Sequence, residues 1–197
     1  MILQFRKIQQ EHLEKIRLWR TSEDVTKYLY TDPRISPDDQ KEWHRRILRD
    51  PSRMDWIINV GGVDVGVVYL YNVEPVNRRC FWAYYLGEQF ARGKGIGKAV
   101  ELNILNYVFE RLNLHKLCCE VFEWNKSVIE AHQKCGSRIE GIFREHIWKR
   151  SNYHNVVRMG ILCHEWEQEV RDRFKYPLAQ IEEWDDKKQH VLSNLTN

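Results

Sequence analysis

Apolar and polar residues alternate along residues 3–8, which predicts a strand, and the spacing then changes. Leu13, Ile16, Leu18 and Trp19 recur at roughly helical intervals within residues 11–20. A second helical stretch is predicted over residues 22–28, with Ser22 as N-cap and Asp32-Pro33 as the break after it. Ser36-Pro37-Asp38-Asp39 has the chemistry of a helix start, with proline at the first helical position, and predicts a helix to Arg49. Residues 55–60 and 65–73 flank Gly61-Gly62, a strong hairpin signal. Residues 77–86 supply a third strand, whose Phe81, Trp82, Tyr84 and Tyr85 suggest burial on both faces. The period then lengthens: Val100, Ile104, Tyr107, Val108 and Leu112 form one apolar stripe on a helix over residues 95–112. A strand at 116–122, a helix at 127–134 and strands at 138–149 and 153–162 complete the pattern.

The order is strand, helices, three strands, helix, strand, helix, two strands. A hairpin meander joined to strand–helix–strand crossovers implies an α/β (α+β) fold, a mixed seven-stranded sheet with helices on its faces. Residues 1–163 form this domain. Beyond Cys163 a charged helix over residues 165–174 and a polar remainder predict a mostly helical extension, 164–197, which reads as an appendage.

Composition narrows the function. The 197 residues are 43% hydrophobic and 12% aromatic, enough for a real core. The net charge of +3 comes from scattered lysines and arginines without a dense basic stripe, so no nucleic-acid partner is expected. Cys80, Cys118, Cys119, Cys135 and Cys163 are odd in number and contain no C-x-x-C pair, which speaks against a disulfide framework or a zinc site. Reduced thiols, an N-terminus unlike a signal peptide and the lack of a run of about 18 apolar residues lead to the expectation of a cytoplasmic protein with no metal and no membrane span.

The most informative segment joins the 77–86 strand to the following helix. Arg92-Gly93-Lys94-Gly95-Ile96-Gly97-Lys98 alternates glycines with basic or apolar residues. Glycine lets the backbone bend and approach a ligand closely, and free N–H groups at a helix start favour a phosphate. Arg92, Lys94 and Lys98 add positive charge. The loop lacks the Gly-Lys-Ser/Thr of a Walker A motif, and Lys98 stands where a dinucleotide fingerprint needs glycine.

Arg92-x-x-Gly95-x-Gly97 resembles the acyl-CoA loop of the GNAT N-acetyltransferases, and residues 125–136, from Asn125 and Ser127 to Gly136, resemble the superfamily segment after the fifth strand. The resemblance covers about residues 3–163. It implies an acetyl-CoA-dependent enzyme whose fourth and fifth strands splay apart. The pantetheine would pair with main chain near Tyr84, Tyr85 and Leu86, the pyrophosphate would sit on amides of Gly93, Lys94, Gly95, Ile96, Gly97 and Lys98, and Asn125 would hydrogen-bond the pantetheine or the product side. His132 occupies the slot where many members carry a tyrosine that protonates the leaving thiolate; an imidazolium can do the same. Tyr84 and Tyr85 are further candidate donors. No carboxylate stands at 80–84, so Glu120 or a water relay is left as the base.

A narrower likeness, carried by Ile16-Arg17-Leu18-Trp19-Arg20, Trp43, Trp82-x-Tyr84-Tyr85 and Glu140-Gly141-x-x-Arg144-Glu145-His146, is to the aminosugar N-acetyltransferases of the pseudaminic acid pathway. It implies a UDP-linked 4-amino-4,6-dideoxy sugar as acceptor, with Arg20, Lys27, Trp43 and His44 shaping its site. Ribosomal-protein N-terminal and polyamine acetylation are alternatives, as is a CoA-binding sensor without turnover. The resemblance leaves room for a homodimer.

Overall fold

The hydrophobic alternation resolves into a sheet covered on both faces. The structure is a computed structural model that describes residues 2–184. Its strands are β1 (Leu3–Lys7), β2 (Met54–Val60), β3 (Val63–Glu74), β4 (Arg79–Leu86), β5 (Lys116–Phe122), β6 (Arg138–Lys149), β7 (Asn152–Leu162) and β8 (Gln180–Ile181). Its helices are α1 (Leu13–Thr21), α2 (Glu23–Thr26), α3 (Pro37–Arg49), α4 (Ile96–Asn106), α5 (Lys126–Lys134) and the short α6 (Cys163–Glu165). The sheet order is β6-β7-β5-β4-β3-β2-β1-β8, so β6 and β8 are the outer strands. It is mixed and mostly antiparallel; β4–β5 and β1–β8 are parallel.

Local chemistry explains the boundaries. Gly61 and Gly62 have φ of 58° and 89°, the positive values that a two-residue hairpin needs at both positions, and Val60 pairs with Val63 across them. The α3 start is a reciprocal cap: the Asp39 N–H donates to Ser36 Oγ at 3.1 Å, and the Ser36 N–H donates to Asp39 Oδ2 at 2.9 Å.

Successive side chains of the central strands enter two different cores. Trp56, Ile58 and Val68 join α4 and α5 in the larger one. Ile57 and Val67 point the other way, onto Leu13, Ile16, Trp19 and Ile47. This is why β2 is buried on both faces from Met54 to Asn59.

Two expectations need correction. The sheet has eight strands rather than seven, because Gln180 and Ile181 pair with Gln4 and Phe5 of β1. The extension is also less helical than its charge pattern predicts. After α6 it widens into a π turn over Trp166–Val170, and beyond this it is extended across the core. Asn103 of α4 holds it there, donating to Pro177 O at 2.9 Å and accepting from the Ala179 N–H at 2.8 Å. Trp56 Nε1 donates to Glu182 O at 2.8 Å. The part of the predicted extension past residue 184 lies outside the described residues.

One irregularity positions everything that follows. β4 and β5 pair only through Arg79–Lys116, Cys80–Leu117 and Phe81–Cys118. β4 nevertheless continues along β3 to Leu86, and β5 along β7 to Phe122. The two strands therefore diverge after Phe81, leaving a gap in the middle of the sheet, as the resemblance predicts.

Candidate active site

Two cavities meet at this gap. One, of about 460 Å³, is lined by Trp82, Tyr84, Arg92, Gly97, Asn125 and His132 among others. The second, of about 470 Å³, is walled by α1, α3 and the segment between them, with Arg20, Trp43, Arg46, Tyr69 and Tyr71 in its lining. Tyr28, Leu29, Ala83, Tyr85 and Glu120 line both, so the cavities share a wall where the strands part.

The first cavity ends at the start of α4. Gly95 is the N-cap, with φ of 77°, and the first intrahelical bond runs from Ala99 N–H to Gly95 C=O at 3.1 Å. The N–H groups of Ile96, Gly97 and Lys98 therefore have no intrahelical acceptor, as at any helix start, and the helix dipole adds positive potential there. This first turn fits a pyrophosphate.

The three glycines act differently. Gly93 and Gly95 take left-handed φ with open space around them. Gly97 has ordinary backbone, but a Cβ there would lie 2.5 Å from the Tyr84 hydroxyl.

The basic residues of the loop are partly engaged in protein contacts. Arg92 donates from Nη2 to Leu86 O at 2.8 Å, so that carbonyl is already bonded and a ligand has to share it. Lys98 Nζ sits 3.6 Å from the centre of the Phe174 ring, and Lys94 packs more loosely over Phe90. Asn125 is buried at the N-cap of α5 and accepts a 3.3 Å hydrogen bond from Ser127 Oγ. Tyr85, Leu86 and Ser127 also line this cavity.

All three candidate proton donors, His132, Tyr84 and Tyr85, reach the first cavity. Tyr84 stacks on Trp82, and its phenol is driven well above the usual range, chiefly by burial and then by the Glu101 carboxylate. That makes it a reluctant acid. His132 is buried, its ring edge meets Trp82, and its Nδ1 lies 2.8 Å from Glu101 Oε1. Sequence reasoning missed Glu101, a residue of α4 whose partner is 31 positions away. The Cys119 thiol, also in this cavity, is raised well above its usual range by burial and stays a thiol rather than a nucleophile.

Glu120 stands in the shared wall. Arg158 Nη2 donates to its Oε1 at 2.6 Å and the Tyr30 hydroxyl donates to its Oε2 at 2.9 Å. Burial, with Glu120 beside it, keeps the Tyr30 phenol protonated. Glu120 thus has both oxygens oriented and lone pairs to spare for a substrate N–H.

The second cavity takes two of its four expected residues. Arg20 and Trp43 line it; Lys27 and His44 do not. Lys27 pairs with Asp24 at 3.7 Å, and a ring nitrogen of His44 bonds Ile8 O at 3.0 Å, because α2 and α3 turn these two side chains elsewhere. Arg46, Arg53, Asp55, Tyr30, Tyr69 and Tyr71 were not foreseen, since they come together only when α3 and the segment before it pack over the sheet. Of the carboxylates in the lining, Asp55 is held by Arg53 at 2.8 Å, Glu120 by Arg158, and Asp39 by the cap of α3, which keeps its carboxyl below the usual range. Arg20 has only a 3.3 Å bond to Thr31 Oγ1, and neither it nor Arg46 has an ion pair among the described residues.

Trp19 packs in the smaller core and lines neither cavity. The five cysteines are free, and among the described residues no cluster of His, Cys, Asp and Glu could hold a metal and no helix is long and apolar enough to cross a membrane.

Comparison with known proteins gives the same frame. The family profile described as an acetyltransferase (GNAT) domain matches residues 3–138. The spermidine N(1)-acetyltransferase of Escherichia coli K12 is 23% identical over 164 residues, covering 83% of this chain and 88% of the relative. The acetyltransferase PseH of Campylobacter jejuni is 22% identical over 130 residues, 66% of this chain and 79% of the relative. A crystal structure of the Vibrio cholerae spermidine N-acetyltransferase with CoA and spermine superposes with a TM-score of 0.79 at 23% identity, covering 84% of this chain and 98% of the other.

Proposed function

The chain belongs to the GNAT acetyltransferase family, and from that premise we propose that it acetylates the primary amine of an anionic, oxygen-rich acceptor, a UDP-linked 4-amino-4,6-dideoxy sugar. It is an N-acetyltransferase with acetyl-CoA as co-substrate. Acetyl-CoA supplies the acetyl thioester. The chain's own residues do the rest.

The first turn of α4 and the glycine loop hold the pyrophosphate, and the unpaired main chain of β4 after Phe81 lies along the pantetheine. The acceptor enters the second cavity and brings its amine to the shared wall. There Glu120 accepts an amine N–H, orienting the lone pair toward the thioester, and a water relay carries off the proton released by attack. As the new C–N bond forms and the C–S bond breaks, His132 gives its proton to the departing sulfur, so CoA leaves as a thiol.

The observation that carries the acceptor is the charge of the second cavity. Its carboxylates already have protein partners, whereas Arg20 and Arg46 have no carboxylate partner among the described residues. Arginine forks suit a diphosphate, and the tyrosines and Trp43 offer flat surfaces to a base. A polycation needs the reverse balance.

A second reading, a polyamine acceptor, is favoured by the activity named for the relatives in Escherichia coli and Vibrio cholerae. Peptide N-termini are a third class worth assaying. Thiol release from acetyl-CoA, measured with UDP-4-amino-4,6-dideoxy sugars, spermidine and short peptides, decides among them. The sugar panel is expected to be fastest; robust turnover of spermidine beside a silent sugar panel reassigns the acceptor.

A further inference from the structure

The Glu101–His132 contact joins two buried titratable groups, 3% and 5% exposed, behind the wall of the first cavity, which His132 lines. A carboxylate so deep is costly unless charge-paired or hydrogen-bonded. Glu101 sits on α4, just past the cofactor loop, and three elements converge on the pair. His132 comes from α5, the Trp82 ring of β4 meets the imidazole edge-on at 5.4 Å, and Cys135 follows α5. The Cys135 thiol, pushed up to about 12 by burial first and the nearby Glu101 carboxylate second, stays protonated beside it. Among the described residues no partner is found for Nε2 of His132, and the ring lines the cavity.

We infer that Glu101 is a positioning residue for the acetyl transfer: its carboxylate accepts a hydrogen bond from Nδ1–H of His132, fixes the ring, and stabilises the imidazolium whose Nε2–H protonates the leaving CoA sulfur. This rests on the reading of His132 as donor. A carboxylate behind an imidazole fixes which nitrogen faces the substrate and favours the charged ring. Here the pair replaces the phenol that the resemblance expects at position 132, and it accounts for the burial of Glu101 on α4. In the transfer, the bond from Nε2 to its proton breaks, the S–H bond forms, and the ring is left neutral with Nδ1–H still on Glu101.

The test is a double-mutant cycle on the full-length chain, with kcat, acetyl-CoA Kd and Tm measured for Glu101→Gln, Glu101→Leu, His132→Ala and the Glu101→Leu/His132→Ala pair. His132→Ala should lower kcat by roughly tenfold or more, the scale of a lost general acid. Glu101→Leu should fall nearly as far, and the double variant no further than His132→Ala alone. Acetyl-CoA Kd should stay within about threefold throughout, since uniform binding is not what is lost. Glu101→Gln is isosteric and keeps an acceptor for Nδ1–H without the charge, so it should lose about threefold to tenfold, and it carries the test if the leucine variant does not fold. Losses that multiply in the double variant, or parental kcat in Glu101→Gln beside a crippled His132→Ala, overturn the Glu101 role and leave His132 standing. Parental kcat in His132→Ala removes the donor reading itself.

Discussion

The two cavities are built by different means. The first cavity, the proposed cofactor side, rests on one contiguous run of strand end, loop and helix start, closed by residues from α2, β5 and α5, and backbone groups and clearances are prominent in it. The second cavity, the proposed acceptor side, draws side chains from α1, α3, β2, β3, β4 and β5 and from the segment between α2 and α3, and its character depends on which charges already have partners. A site made of backbone is sensitive to shape, whereas a site made of balanced charges is sensitive to the loss of one partner. The same sheet gap serves both, so substitutions can be sorted by which cavity they disturb.

The largest effect is expected where a clearance is filled. Gly97→Val puts a branched side chain where even a Cβ would be 2.5 Å from the Tyr84 hydroxyl. Tyr84 would be driven into the channel, at an overpacking cost of about 1–3 kcal/mol. Isothermal titration should show acetyl-CoA affinity reduced by up to roughly 100-fold, with acceptor binding to the free enzyme unchanged; equal weakening of both would erase the distinction between the cavities.

At the shared wall, Glu120→Gln removes the charge that faces Arg158 and Tyr30. A charge-assisted hydrogen bond is worth about 1.5–3 kcal/mol, so kcat/KM for the acceptor should fall roughly 10- to 100-fold, while acetyl-CoA still raises Tm as in the parent. On the far side, Arg46→Ala should raise KM about tenfold for a UDP-sugar and leave spermidine unaffected. If spermidine turnover improves and sugar turnover does not change, the charge argument fails.

The smallest effect separates the donors: Tyr84→Phe should leave kcat within about threefold, because a phenol raised by burial is a poor acid beside an imidazolium. A collapse in kcat would move the proton from His132 to Tyr84.

The contrast also explains what the sequence made legible. The loop at residues 92–98 was readable because its chemistry is contiguous, and the 3.6- and 2-residue periods located the strands and helices that frame it. The reasons for its glycines were not all readable. Gly97 is required by Tyr84, a contact between strand and helix that no local pattern encodes. Glu101 carried no signal of its own on α4, and only tertiary packing turns it toward His132. Lys27 and His44 had the right chemistry on the wrong helix faces, while Arg46, on the same helix as His44, was overlooked. The eighth strand is two residues long in a charged setting, with no alternation to detect, and its place is fixed by Asn103 and Trp56 from distant elements.

That eighth strand has a consequence for self-association. An edge of a sheet is a template for another chain's strand, and a filament needs an open edge at both ends. Here the β1 edge is occupied: Gln180 and Ile181 pair with it, Glu182 N–H donates to Phe5 O at 2.9 Å, and the Glu182 side chain takes the Lys7 N–H at 2.7 Å. The opposite edge, β6, is a long strand with Ile139, Ile142, Phe143 and Trp148 exposed, kinked by two register shifts. Because β8 leaves only a two-residue edge on that side, edge-to-edge pairing of native molecules is favoured through β6, as a twofold pair. Growth into a fibre would first require the β8 segment to peel away, which places resistance to polymerisation in a two-residue strand far from the chemistry.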